Sequence, residues 1–191
     1  MSKYVGLTEK RMADKRFRKT EEAILKVFFE DGYYMCAKEV AERAGVSRAT
    51  VYNHHRVIRE ILLDYEKYIL RKYKRMVRKV TKDKGTRLAR IYLRVLLFMV
   101  KEKKIFGMLI KNERRTVLET MLFEIKTRIV NYAGLPKNSE KMFKIYVNEV
   151  TGLMVEWGRS GFMETEIENL LKDIMYLTDT LRSRLGRLID N

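Results

Sequence analysis

The residues with the most evident chemistry lie in one short run, Arg48-Ala49-Thr50-Val51-Tyr52-Asn53-His54, directly after Ser47. Ser47 is suited to cap a helix, and the run behind it is too short and too polar to be a stable helix by itself. At about 100° per residue, Ala49 and Asn53 fall opposite the aliphatic Val51, with Thr50 and Tyr52 on the flanks. Such a face suits the reading of DNA. Arg48 can reach guanine or a phosphate, Asn53 can pair with adenine, the methyls of Ala49 and Thr50 suit thymine, and the Tyr52 hydroxyl suits a phosphate. A plain helix-turn-helix hairpin in an α-helical core would show the same spacing, because not all such hairpins bind DNA.

The run needs a frame, and the flanking sequence supplies one. Val40 and Ala41 give a preceding short helix its apolar side, Gly45 allows a tight turn after Ala44, and Val46 anchors that turn in the core. Upstream, Phe17, Ala23, Ile24, Val27 and Phe28 form the stripe of a first helix that Gly32 ends. Residues 1–16 read as a mobile basic arm, either one that lies along phosphates or enters a minor groove or simply a frayed terminus. Downstream, Ile58 to about Lys82 reads as one long helix, apolar at Ile61, Leu62, Tyr65, Ile69, Tyr73, Met76 and Val80. The fold class is therefore all-α: an N-terminal three-helix helix-turn-helix domain over residues 1–65, joined by the long helix to a C-terminal helical bundle over residues 66–191.

Residues from about Thr20 to Tyr65 resemble the DNA-binding domain of the tetracycline-repressor (TetR) family of bacterial transcription regulators. The matching elements are the first helix ending in Glu30-Asp31-Gly32-Tyr33, then Val40-Ala41-Glu42-Arg43-Ala44-Gly45-Val46-Ser47, then Thr50-Val51-Tyr52-Asn53-His54, then Ile61-Leu62. The chain departs from the family pattern at three places. Cys36 stands where a Thr or Ser usually enters the second helix, His55 stands where an aromatic is expected, and Val57 and Ile58 replace a capping residue and a phosphate-binding Lys. Arg56 or Arg59 must then supply that phosphate contact. The resemblance makes His54 a phosphate contact and His55 a residue tucked at the helix end. Lys38, Ser47, Arg48, Ala49, Thr50, Tyr52, Asn53, His54, Arg56 and Arg59 form the candidate DNA-binding set.

The resemblance further implies a homodimer on a palindromic operator of double-stranded DNA, with recognition helices about 34 Å apart. It also implies repression relieved by a small-molecule effector bound in the middle bundle. The alternative is an architectural or plasmid-maintenance DNA-binding protein that takes no ligand.

Composition narrows the classes. The formal net charge is +16, with a pI near 9.9, which points to an anionic partner. Residues 1–70 carry 14 Lys or Arg against 11 Asp or Glu, residues 71–130 carry 19 against 5, and residues 131–191 carry 8 against 9. The excess thus sits outside the DNA-reading segment. A lone cysteine, Cys36, excludes an intrachain disulfide and fits a reducing cytoplasm. The longest apolar run, Val95 to Val100, falls far short of the ~20 residues of a membrane span. No catalytic constellation stands out, no cofactor motif is present, and adjacent His54 and His55 cannot easily chelate one metal.

Beyond the long helix, Thr86 is placed to cap a buried helix running to about Lys101, and residues 105–112 form a short apolar piece. Thr116 to about Tyr132 reads as one amphipathic helix, followed by a Gly134-Leu135-Pro136 loop. Two helices close the chain, about Glu140 to Arg159 and, from a Thr165/Glu168 capping box, a last one with Ile167, Leu170, Leu171, Ile174, Leu177, Thr178, Leu181, Leu185 and Leu188. Helices 140–159 and 165–188 are the expected homodimer interface, against a closed intramolecular bundle. Tyr92, Phe98, Met99, Met121, Phe123, Tyr146, Met154 and Trp157 could line an effector pocket, or simply be core.

Overall fold

The computed structural model describes residues 8–31, 35–56, 61–83, 85–136 and 139–189. The regular elements among them are helical: α1 (Glu9–Ala13), α2 (Lys15–Asp31), α3 (Ala37–Ala44), α4 (Arg48–His54), α5 (Ile61–Val80), α6 (Leu88–Lys101), α7 (Lys103–Lys111), α8 (Thr116–Glu124), α9 (Lys126–Ala133), α10 (Glu140–Arg159) and α11 (Ile167–Ile189). The protein is all-α. It divides into two compact units, Met1–Ile69 and Leu70–Asn191, with the boundary inside α5.

In the first unit, Ile24, Val27 and Phe28 of α2, Val40 and Ala41 of α3, Val51 of α4, and Ile61, Leu62 and Tyr65 of α5 are buried together. The basic arm expected over residues 1–16 is corrected from Thr8 onward, and residues 1–7 lie outside the described residues. The Thr8 hydroxyl accepts from Arg11 N–H at 3.2 Å and starts α1. Asp14 accepts from the N–H groups of Arg16 (2.8 Å) and Phe17 (3.0 Å) and so caps α2. Two local caps thus turn a charged tail into helix. The expected helix end at Gly32 and the start at Ile58 also lie outside the described residues; α5 is described from Ile61.

The second unit is a bundle whose elements depart from the sequence expectation at three points. Thr86 does not cap α6, because its hydroxyl donates to Val80 O at 3.2 Å and Arg87 takes the capping position. The helix expected from Thr116 to Tyr132 is broken at Ile125 into α8 and α9. The cause is a distant side chain: the Tyr73 hydroxyl donates to Met121 O at 2.8 Å, the carbonyl that Ile125 N–H would otherwise use, and Ile125 N–H bonds Leu122 O instead. The last helix opens as a 3-10 turn over Glu164–Glu166 rather than on a Thr165 capping box. α10 spans Glu140–Arg159 as its periodicity predicts. Among the described residues, no helix is long and apolar enough to cross a membrane.

Candidate nucleic-acid interface

The turn between α3 and α4 is built by backbone rules that its sequence satisfies. Gly45 adopts φ +66°, a conformation in which an L side chain is strained. Its N–H bonds Glu42 O at 3.3 Å while Val46 N–H bonds Ala41 O at 2.9 Å, so the last carbonyls of α3 are satisfied and the chain reverses at once. At the other end of α3, Glu39 reaches back to accept from Cys36 N–H at 2.7 Å. That bond holds the Glu39 carboxyl below its usual range. Ser47 Oγ then accepts from Thr50 N–H at 3.0 Å and caps α4.

Along α4, Arg48, Ala49, Tyr52 and Asn53 are exposed, Thr50 is half-buried and Val51 is fully buried. The Thr50 hydroxyl contacts Ser47 Oγ at 2.8 Å. Arg56 is exposed just beyond the helix, whereas Arg59 lies outside the described residues. Lys38 on α3 is exposed and sits 3.9 Å from Glu42, a surface pair of little energetic weight. The Arg11 guanidinium donates to Asn53 O at 2.7 Å and lies 4.3 Å over the Phe17 ring, so α1 supplies a cation to the C-terminal carbonyls of α4.

His54 is corrected: it is not a surface group placed for a phosphate. Only 5% exposed, its ring stacks on Phe17 at 3.9 Å between centroids, and its Nδ1 meets Glu21 Oε2 at 2.5 Å. His55, fully buried, joins the same carboxylate. Its Nε2 lies 2.7 Å from Glu21 Oε1 and its Nδ1 3.1 Å from Asp64 Oδ2, and the Tyr65 hydroxyl donates to Glu21 Oε1 at 2.9 Å. With a carboxylate at each ring nitrogen, the charged imidazolium form of His55 is favoured. Burial opposes that charge, but the bonds to Asp64 and Glu21 outweigh it and raise the His55 pKa. Burial likewise disfavours the Glu21 carboxylate, yet the bonds from His54, His55 and Tyr65 bring its pKa down to about 2.

Glu21 therefore pins the end of α4 to α2 and α5. Sequence reading passed it over, although a signal was there. It occupies the same helical stripe as Phe17, Ile24 and Phe28, and an acid inside an apolar stripe calls for a buried cationic or donor partner.

In the second unit, most of the residues expected to line an effector pocket are buried in the core. Tyr92, Phe98, Met99, Met121, Met154 and Trp157 are buried, while Phe123 is exposed. The Tyr92 hydroxyl meets that of Tyr146, which meets Thr178 Oγ1 at 2.8 Å, and Thr178 donates to Ile174 O, so the polar atoms are satisfied internally. A cavity of about 240 Å³ lies instead between α10 and α11, lined by Met142, Ile145, Tyr146, Glu149, Tyr176, Leu177, Thr180 and Leu181. Of the expected pocket residues, Tyr146 alone reaches it.

Residues 22–65 match the family described as bacterial regulatory proteins, tetR family, a span running from α2 into α5 and containing the whole turn. No curated protein and no solved structure matches the chain. The capped α3–α4 turn, with its outward polar face on α4, thus lies inside the segment that matches this family, and that match supports a DNA-binding transcriptional regulator.

Proposed function

We infer that this regulator is a cytoplasmic repressor that acts as a homodimer on a palindromic operator and releases it when a small molecule binds its second unit. The observation that carries the DNA reading is the face of α4. Arg48, Ala49, Tyr52 and Asn53 face solvent from a helix whose other side is locked by Val51, His54 and Glu21. A base-reading group must be held rigidly to discriminate, and the buried network supplies that rigidity.

Fluorescence anisotropy tests it, with the DNA flanking the protein's own coding region and scrambled DNA of equal length over a salt series. A preference of ~10³ or more surviving physiological salt is expected, and equal binding to both would overturn the operator reading. Asn53→Ala should cost about 1–3 kcal/mol on the native DNA and relax the preference at one base pair per half-site. Arg48→Ala should either do the same or weaken all sequences alike, which separates base contact from phosphate contact. An unchanged sequence preference in both variants would remove α4 as the reading helix.

Dimerisation is supported by the outer faces of α10 and α11. Ile145, 49% exposed, and Tyr176, 72% exposed, line the 240 Å³ groove with the more buried Met142 and Leu177. Such an apolar strip on two long helices suits a four-helix interface with a symmetry mate. Leu185 and Leu188, also expected in that stripe, lie outside the described side chains.

The effector reading draws on Thr151, in mid-α10. Its hydroxyl is buried, and it is the buried side-chain polar atom without a hydrogen bond among the described residues. A polar atom of a ligand reaching it would satisfy it. Thr151→Val, nearly the same shape, should therefore stabilise the ligand-free protein by ~1 kcal/mol in a thermal melt and blunt the response to effector. A lower melting temperature would show that the hydroxyl already has a partner.

A further inference from the structure

The corner where α5 passes into α6 concentrates a charge that the operator-reading helix does not use. On α5, Arg71, Arg75 and Arg78 recur on one face at spacings of four and three. Lys79 and Lys82 carry the exposed basic surface to the corner, and Arg87, Arg90 and Arg94 continue it down α6. All eight of these side chains are exposed.

Three acids of the segment have partners outside the four cations at the corner, Arg78, Lys79, Lys82 and Arg90. Glu102 holds Lys72 at 2.5 Å, Glu124 holds Lys74 at 2.7 Å, and Asp83 accepts from Gly85 N–H at 2.9 Å within the turn itself. The corner is also built rather than loose. The Thr81 hydroxyl donates to Val77 O at 2.9 Å and the Thr86 hydroxyl to Val80 O, while the Arg128 guanidinium on α9 ties down Thr81 O at 2.6 Å and Asp83 O at 3.2 Å. Cations fixed on a rigid corner lose little entropy when they meet a polyanion.

We propose that the α5–α6 corner is a second, sequence-independent contact for the phosphates of double-stranded DNA. Its role is to hold the regulator on non-operator duplex. The occupant follows from charge complementarity together with what the surface lacks. Successive exposed positions along one helical face lie about 5–6 Å apart, which suits a row of phosphates. A surface made for anionic lipid would interleave large apolar side chains with its cations. Here the exposed positions from Arg71 to Arg94 carry no large hydrophobic side chain, and Leu97 follows only further along α6. The inference does not depend on how α4 reads bases.

The test uses the full chain and scrambled duplex DNA, comparing the wild type with the combined variant Arg78→Gln, Lys79→Gln, Lys82→Gln and Arg90→Gln. Removing four phosphate contacts should lower the slope of log affinity against log salt by roughly 3 to 4 and weaken binding at low salt at least tenfold. The charge-preserving pair Arg78→Lys and Arg90→Lys should keep the slope, which separates charge from any effect on folding. Asn53→Ala should relax operator preference at one base pair per half-site and keep the slope, so failure of the operator reading and failure of this one are told apart. An unchanged slope in the four-site variant would overturn the proposal. So would an unchanged affinity for DNA accompanied by loss of binding to phosphatidylserine vesicles, which would assign the corner to a membrane surface.

Discussion

Replacing Glu21 by Ala should destabilise the first unit by about 3–5 kcal/mol, because it breaks a buried ionic and hydrogen-bonded cluster and leaves several groups unmatched. The groups stranded are His54 Nδ1, His55 Nε2 and the Tyr65 hydroxyl, all drawn to a carboxylate that is itself 0% exposed. Glu21→Gln keeps the shape and one acceptor and should cost less. A urea melt checks the order, and a Glu21→Ala variant within 1 kcal/mol of wild type would show that the cluster is not what holds α4. Operator affinity should fall even where the variant remains folded. α4 is only 7 residues long, so the orientation of Arg48 and Asn53 depends on what anchors the helix rather than on the helix itself.

The same cluster sets a pH dependence with two limbs. Glu21 has a folded pKa of about 2 against an ordinary value of 4.5, so its contribution is complete above 4.5 and is lost as the pH falls from 4.5 toward 2. A shift of that size corresponds to ~3 kcal/mol. His55 titrates above its ordinary 6.5, so its contribution is complete below 6.5 and is lost as the pH rises through the raised value. The groups facing His55 are Glu21 from α2 and Asp64 and Tyr65 from α5, with His54 beside it on the shared carboxylate. Stability of the first unit should therefore peak between about 4.5 and 6.5 and decline on the alkaline side. His55→Phe should remove the alkaline limb. An alkaline decline persisting in that variant would assign it to another group.

Tyr176→Glu combined with Ile145→Asp should convert a dimer to a monomer and lower operator affinity by ~10²–10⁴, because two half-sites bound together gain from effective concentration and two bound separately do not. Both side chains are exposed in the single chain, so the charges cost little in the monomer fold, while in a dimer they would be buried against like charges. Light scattering after size exclusion reads the oligomer directly. A wild type that is already monomeric would overturn the homodimer, and a variant that stays dimeric would move the interface away from α10 and α11. The variant should retain its affinity for non-operator duplex per subunit, since neither position lies in the α5–α6 corner.

The parts of this protein written in the sequence are those whose physics is local. Gly45 and Ser47 lie two residues apart, and a left-handed turn and an N-cap each need only their own neighbours, so the helix-turn-helix and the outward face of α4 could be read before any packing was known. The span of α10 followed in the same way from periodicity between a loop and a glycine-containing turn. What tertiary structure decided involves partners far apart along the chain. Glu21 reaches His54 and His55 across more than 30 residues, which turned a supposed phosphate contact into part of a buried ionic cluster. Tyr73 reaches Met121 across 48 residues and breaks a helix whose own sequence is continuous in pattern. Tyr92 and Tyr146 satisfy one another across 54 residues, so residues that looked like a pocket lining are core, and the cavity lies on the outer face of α10 and α11 instead. Periodicity tells which side of a helix is apolar, but which distant group that side meets, and whether a polar atom there is satisfied, is settled only when the chain is packed.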